Sequence, residues 1–508
     1  MKTLTPISYS IKAKAIKKKL ARFKDHDFLE NFYRHFHSFR NEKYGIVYNF
    51  PWCCFLALKW KFSSPESRNA RSMSYSEFVK IINRIYDLQS EASNLNAEDN
   101  LILGVRRITI NQLLYQHSDK FNYTSLIRQY IWYCDGDPYF KESFYKITGL
   151  EMNNYYRMAS YLFIMALIKK RNDSEVFPYK LFILHWVPLV GIGQVKKFFN
   201  LISLKAEDIR GFIDGYKYHH DLIIEYYEDT PMLRKPAMLA KEGLVVFSKK
   251  ILKTGLVNLV PEILKDNFQE EYKVAFGKVL ENYTADVFNC YGYKFINENG
   301  IKELYKKNKL DGKSVDFLIH EHDGYILIDC KAIEPAPYIK TTSDPERIRQ
   351  RLKSSFIKGI FQGEHTAFNL LKSGVIGTSK KLSIIVVVHR DHYLSNGLDV
   401  ESLIYKSLSS EITIKYGVLP IPLSRVYYIT IDSLEHLLGV CKKKNISLNA
   451  FIDYCSECDS SFKSKRASID MHMSDIYSEG VEDIQKIKDV KDVLLQETTN
   501  IIGGGGKI

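Results

Sequence analysis

Between Ser314 and Lys331 the chain reads Ser-Val-Asp-Phe-Leu-Ile-His-Glu-His-Asp-Gly-Tyr-Ile-Leu-Ile-Asp-Cys-Lys, and this stretch limits the fold more tightly than any other. Two aliphatic runs flank Asp323-Gly324, a dipeptide favoured in two-residue hairpin turns because both central positions take positive φ. A hairpin centred there sets Asp316 opposite Lys331 and Leu318 opposite Asp329. Side chains alternate along a strand and paired residues share a face, so Asp316, Asp329 and Lys331 all project the same way. Phe317, Ile319, Ile328 and Cys330 occupy the other face. Charges in so apolar a hairpin cost several kcal/mol unless they are paired or bound to a metal.

Two carboxylates converging on one patch can share a hard divalent cation, and Mg²⁺ prefers a few carboxylates completed by water and phosphate oxygens. A lysine beside such an ion can position or deprotonate an attacking water and offset charge developing on a phosphoryl group. That combination suits phosphodiester hydrolysis. The alternative for the same residues is a structural Asp–Lys pair at a sheet edge.

These residues resemble the PD-(D/E)XK nuclease superfamily, the restriction-endonuclease-like fold. Val315-Asp316 looks like its first motif with Val in place of Pro, and Asp329-Cys330-Lys331 like its second, with Asp as the acidic member. The family places a helix before the hairpin that often contributes a Glu. Here Phe276, Val279, Leu280, Tyr283 and Val287 form a helical stripe with Glu281 beside it, and the family's Glu carries over to Glu281. The alternative is a solvated Glu on an amphipathic helix. The resemblance implies Asp316 and Asp329 as Mg²⁺ ligands, with Mn²⁺ as a substitute, and Glu281 as a further ligand or water-positioning acid. It also implies a place for the Cys330 backbone carbonyl in the metal shell and for Lys331 beside the attacking water. Gln362 resembles the helix Gln of the RecB-like branch, although the Tyr expected four residues on is Thr366.

The remaining chain is consistent with such a core. The expected strands are Ser314 to Ile319, Tyr325 to Asp329, Leu382 to His389 and Arg425 to Ile431, with a helix over Pro345 to Lys372. The resulting fold class is an α/β restriction-endonuclease-like core, a mixed sheet flanked by helices, joined to a large α-helical N-terminal region. The divisions are 1–262, mostly helical and suited to target or partner recognition; 263–440, the nuclease-like domain; and 441–508, a polar and partly disordered appendage.

With 508 residues, 72 Lys+Arg and 59 Asp+Glu, the chain carries a formal charge of +13, which favours polyanionic partners. Its apolar runs fall short of the roughly 20 residues of a spanning helix, and no secretory leader is recognisable, so a cytoplasmic protein with no membrane partner is expected. Eight scattered cysteines read as reduced thiols. Cys455 and Cys458 alone cannot close a four-ligand zinc site. Gly503 to Gly506 and Lys507 lack the strand, the Ser or Thr and the following helix of a phosphate-binding loop.

Three other signals stand out. Lys12 to Lys24 holds seven basic residues with an apolar stripe at Ile16, Leu20 and Phe23, which suits phosphate contact, a membrane surface or a solvated helix face. Val187 to Lys197 resembles the Gly-x-Gly turn of a helix-hairpin-helix motif, but with Pro188 close by and a poorly marked preceding helix it reads better as an ordinary turn. His389 and His392 follow a strand and fit a loop better than a metal pair, while His35, His37, His219 and His220 have no acidic cluster nearby. The expected function is a Mg²⁺-dependent DNA endonuclease acting on double-stranded DNA, alone, as a homo-oligomer or with a partner protein. The resemblance points to restriction or phage defence; the alternative is a catalytically inactive nucleic-acid-binding or assembly protein.

Overall fold

The structure, a computed structural model, describes residues 7–37, 49–93, 101–116, 118–168, 175–216, 222–461 and 463–504. His219, His220, Lys507 and part of the terminal glycine run lie outside them. The chain divides into two compact units, Met1–Gln269 with Ile487–Ile508, and Glu270–Lys486. The first division falls where the long helix Lys249–Tyr291 breaks at Gln269. No helix among the described residues is long and apolar enough to cross a membrane.

The first unit is mostly helical. Its core gathers Phe28, Phe32, Phe36, Phe55, Trp60 and Phe78, all essentially buried, from the helices Asp25–His37, Pro51–Phe62 and Tyr75–Asp87. Ser74 and Glu77 form a reciprocal capping box that fixes the start of the third. A small four-stranded sheet that the sequence pattern does not predict also lies here, ordered Glu175–Pro178, Gly243–Val246, Ala237–Leu239, Ser203–Lys205. Its strands have three or four residues, too short to show a period of two. Val187 to Lys197 lies inside the helix Tyr179–Ile202, which kinks at Gly191 with φ 80°.

The second unit is α/β. Five strands lie in chain order, β1 (Phe295–Asn297), β2 (Phe317–His320), β3 (Gly324–Lys331), β4 (Lys381–Val388) and β5 (Val426–Thr430). The first three form an antiparallel meander, and β4 and β5 add in parallel to β3. Between β3 and β4 run the helices Pro345–Leu352 and Lys358–Lys372, and between β1 and β2 the helix Glu298–Lys307. The single helix expected over Pro345 to Lys372 is interrupted by a π-helical turn at Lys353–Ile357. There Phe356 stacks on Tyr428 of β5, whose hydroxyl donates to the Phe356 carbonyl at 3.1 Å.

Two expectations need correction. The hairpin register is shifted by two residues: Phe317 pairs with Ile328 and His320 with Tyr325, so the turn residues are His322 and Asp323. Neither has positive φ, and Gly324 does not either. Gly324 is required for a different reason, since a Cβ there would lie 2.2 Å from the Lys381 carbonyl oxygen of β4. Gly324→Ala is therefore expected to pry β3 from β4 and cost roughly 2–3 kcal/mol of stability, read by denaturant unfolding; an unchanged midpoint would show that the strands relax freely.

The second correction concerns residues 441–508. Residues up to Lys486 belong to the second unit rather than to an appendage. The acidic turn explains why: Glu321 accepts the backbone N–H groups of Leu448 (2.9 Å) and Asn449 (3.1 Å), and Asp323 accepts the Ser447 hydroxyl at 2.7 Å. Together they anchor the N-terminus of the helix Leu448–Asp459, where carboxylates satisfy orphan donors. Asp453 on that helix pairs with Lys381 and Arg425 at the strand edge.

Candidate active site

Asp329 and Lys331 stand two residues apart at the C-terminal end of β3, so they share a face, and that face meets the helix Lys358–Lys372. Asp329 is fully buried. Burial pushes its carboxyl up to about 7, with Lys331 opposing and Asp316 reinforcing the shift. Oδ2 is ion-paired with Lys331, while Oδ1 has no hydrogen-bond partner among the described residues. Gly359 on the helix permits this approach, since a Cβ there would sit 3.1 Å from Oδ2.

Lys331 is held from a second side. Its Nζ donates to Gln362 Oε1 at 3.1 Å, and Gln362 Nε2 donates to the Ser314 carbonyl at 3.2 Å. One turn on, Thr366 accepts the Val315 N–H at 3.2 Å and donates to the Gln362 carbonyl at 2.8 Å. Thr366 thus ties the entry of β2 to the helix.

Asp316 precedes β2 by one residue. Its N–H donates to the Ile328 carbonyl, and its Oδ2 accepts the Cys330 N–H at 2.6 Å, where a regular ladder would use a backbone carbonyl. The observed register places Asp316 beside Asp329 rather than opposite Lys331. A slip of two residues preserves side-chain parity, and for that reason the convergence of Asp316, Asp329 and Lys331 survives the error. Asp316 is half-buried, and burial raises its carboxyl while the Cys330 N–H and Lys331 oppose the shift.

Glu281 lies on the helix Lys249–Tyr291, half-buried, with its carboxyl raised first by burial and then by Asp316. Among the charges around it, Asp316 acts on it most strongly. The Cys330 thiol points to the same helix, donating to Thr284 Oγ1 at 3.6 Å, and burial pushes it well up.

Two features were not assigned from sequence. Glu298 and Lys302, an ion pair on the helix Glu298–Lys307, add their charges around Asp316. Lys358, at the first position after the π-helical turn, is held below its ordinary value by partial burial, then by Lys331 and Lys313, with Asp329 opposing and Lys273 adding. Only three-dimensional proximity links Lys273, Lys313 and Lys358, which are far apart in the chain.

The donor set fits a hard cation: carboxylate oxygens of Asp316 and Asp329, one of them buried and unpartnered, with a backbone carbonyl between Asp329 and Lys331. Among the described residues no three His, Cys, Asp or Glu side chains form a ready metal cage. Mg²⁺ commonly takes only one or two carboxylates and fills its octahedron with water and substrate oxygens. The histidine pair near β4 is engaged elsewhere, His389 Nδ1 lying 3.1 Å from Glu334 and His392 Nδ1 3.1 Å from the Arg390 carbonyl. No protein-family model matches the chain, and no curated protein shows a significant match to it.

Proposed function

We propose that the second unit is a divalent-metal-dependent nuclease of the PD-(D/E)XK kind, hydrolysing phosphodiester bonds in DNA. The observation that carries this reading is the fully buried Asp329 carboxylate, unpartnered at Oδ1, set beside Asp316 and Lys331 at the open end of a hairpin. Burying a carboxylate with one lone oxygen is costly, and such costs concentrate at sites that bind or react. The element order, helix, strand, helix, hairpin, helix, strand, supports the same kinship.

Asp316, Asp329 and the Cys330 carbonyl would hold Mg²⁺ or Mn²⁺, with Glu281 a further acid beside Asp316. Bound there, the metal supplies Lewis-acid polarisation of a phosphoryl oxygen and lowers the pKa of a bound water. The protein's own part is positional. Gln362 holds Lys331 between helix and strand, and Lys331 orients a water or offsets charge developing on the phosphoryl group. Lys358, Lys313 and Lys273 add positive charge that draws a phosphate backbone toward the carboxylates.

The direct test is cleavage of supercoiled and linear DNA by purified protein with Mg²⁺, Mn²⁺ or EDTA. Cutting with metal and none with EDTA supports the proposal, and binding without cutting under every condition would overturn it. The Lys331–Asp329 ion pair favours one rival, an inactive nucleic-acid-binding or assembly protein that keeps the pair for structure alone. Gln362→Leu separates the two further. It frees Lys331 from one side and is expected to lower kcat about ten- to a hundredfold and alter its pH profile with little change in KM; an unchanged profile would remove Gln362 from the site.

A further inference from the structure

The seven-cation run of Lys12 to Lys24 becomes two different surfaces once folded. The apolar stripe of the helix Ile7–Leu20, namely Tyr9, Ala13, Ile16 and Leu20, is buried in the first unit's core. That face is therefore spent on folding and is not available to enter a lipid surface. On the flanks, Lys12 pairs with Glu91 and Lys17 with Glu225. Lys14, Lys18, Arg22 and Lys24 stand exposed with no ion pair among the described residues.

The structure adds cations from elsewhere to this unpaired side. Ser67 donates its N–H to Ala21, and Arg71 donates its N–H to Arg22, so the segment carrying exposed Arg68 and Arg71 runs along the end of the basic helix. The helix Tyr75–Asp87 brings Lys80 and Arg84, both exposed and unpaired among the described residues. Lys19 registers the crowding: partial burial and then Arg84 hold its amine below the ordinary value, Glu77 opposing and Lys80 and Arg71 adding. Glu77 is already bound by Arg71. The helix-end dipole explains Lys17 to Lys19, but not cations contributed by a second helix and a loop. Like charges one turn apart, Lys14 with Lys18 and Lys80 with Arg84, work against helix stability. Within the same unit Lys59 pairs with Glu228 and Lys61 with Asp25.

We infer that the face formed by Lys18, Lys19, Arg22, Lys80 and Arg84 docks the phosphate backbone of duplex DNA, independently of sequence. The choice of DNA as the polyanion rests on the nuclease reading; the anion-binding character of the face rests on its own unpaired charges. Backbone contacts of this kind position a duplex and carry no base information.

The test is the salt dependence of duplex binding by the full-length chain carrying Asp329→Asn, so that no cleavage intervenes. Each neutralised phosphate contact contributes about 0.9 to the slope of log affinity against log salt. Substituting Lys18, Lys19, Arg22, Lys80 and Arg84 by alanine is expected to reduce that slope by about 3 to 4.5 and weaken binding on the order of 100-fold or more at low salt. Lys12→Ala, whose amine faces Glu91, is the control and leaves the slope unchanged. Lys18, Arg22, Lys80 and Arg84 are exposed and Lys19 half-buried, and a melting curve verifies folding. An unchanged slope in the fivefold variant, or no duplex binding by the parent at low salt, overturns the inference. So does a variant that keeps its duplex affinity and loses only binding to anionic vesicles. Failure here with metal-dependent cutting intact leaves the nuclease reading standing. A slope carried by these cations in a chain that never cuts leaves the docking face standing without the nuclease.

Discussion

Asp329→Asn and Lys331→Met are each expected to lower metal-dependent DNA cleavage by on the order of a thousandfold or more, with duplex affinity essentially unchanged. The magnitude follows from the several kcal/mol that a bound metal and a preorganised cation contribute to charge developing on a phosphoryl group. Asn keeps the shape of Asp329 and removes its charge; Met keeps the volume of Lys331 and removes its amine. Conserving shape and volume keeps the packing around the buried pair, but either single change still leaves the other partner's charge uncompensated, so a melting curve accompanies each activity measurement. The double variant, Asp329→Asn with Lys331→Met, discriminates further. If the pair is only structural, replacing both partners by neutral groups of similar volume costs little stability, and cutting persists. If the pair is catalytic, the double variant folds with near-normal stability and does not cut. Undiminished cleavage by either single variant would remove both residues from the site.

How far the sequence reaches is visible in the same hairpin. The residues that share a face were legible because strand periodicity is two, and a two-residue slip cannot alter parity. The exact partner of Asp316 was not legible. Asp323-Gly324 carries the strongest local turn preference, yet the glycine answers to the carbonyl of Lys381, which lies 57 positions away in the chain and arrives only with β4. Glu321 and Asp323 looked like ordinary turn acids, and their partners, Ser447, Leu448 and Asn449, lie in a segment that reads as a polar tail. Tertiary context overrides local preference at such positions. Gln362 was noticed by resemblance alone; its bonds to Lys331 and Ser314 depend on how a helix lies across the sheet. Lys273, Lys313 and Lys358 had no shared sequence signal at all.

Glu364 shows what a buried group outside the site should do, and its effect on stability is the largest expected from a single conservative change. It sits on the helix Lys358–Lys372, fully buried, its Oε2 accepting the Ile421 N–H at 3.0 Å and its Oε1 unpartnered among the described residues. Burial pushes its carboxyl up to about 8, the Ile421 N–H opposes the shift, and no charged side chain contributes. The folded-state value therefore lies above the unfolded value, so the folded chain binds the extra proton. Its contribution is fully present below the unfolded pKa, near 4.3, and is lost as pH rises through about 8. Between pH 5 and 9 the linkage amounts to roughly 4 kcal/mol. Glu364→Gln keeps an acceptor for Ile421 and cannot ionise. Asp329 titrates in the same direction in both proteins, so the difference between variant and parent isolates Glu364. At pH 9 the variant is expected to be more stable than the parent by roughly 2–4 kcal/mol, once the cost of an unpartnered amide N–H is set against the relieved charge. At pH 5 the two should be close to equal or the parent slightly ahead. Thermal unfolding of the full-length chain at half-unit intervals from pH 5 to 9 reads this directly. Parallel curves for the two proteins would mean that Glu364 ionises in the folded state as readily as in water, and that its burial is relieved by solvent reaching Oε1.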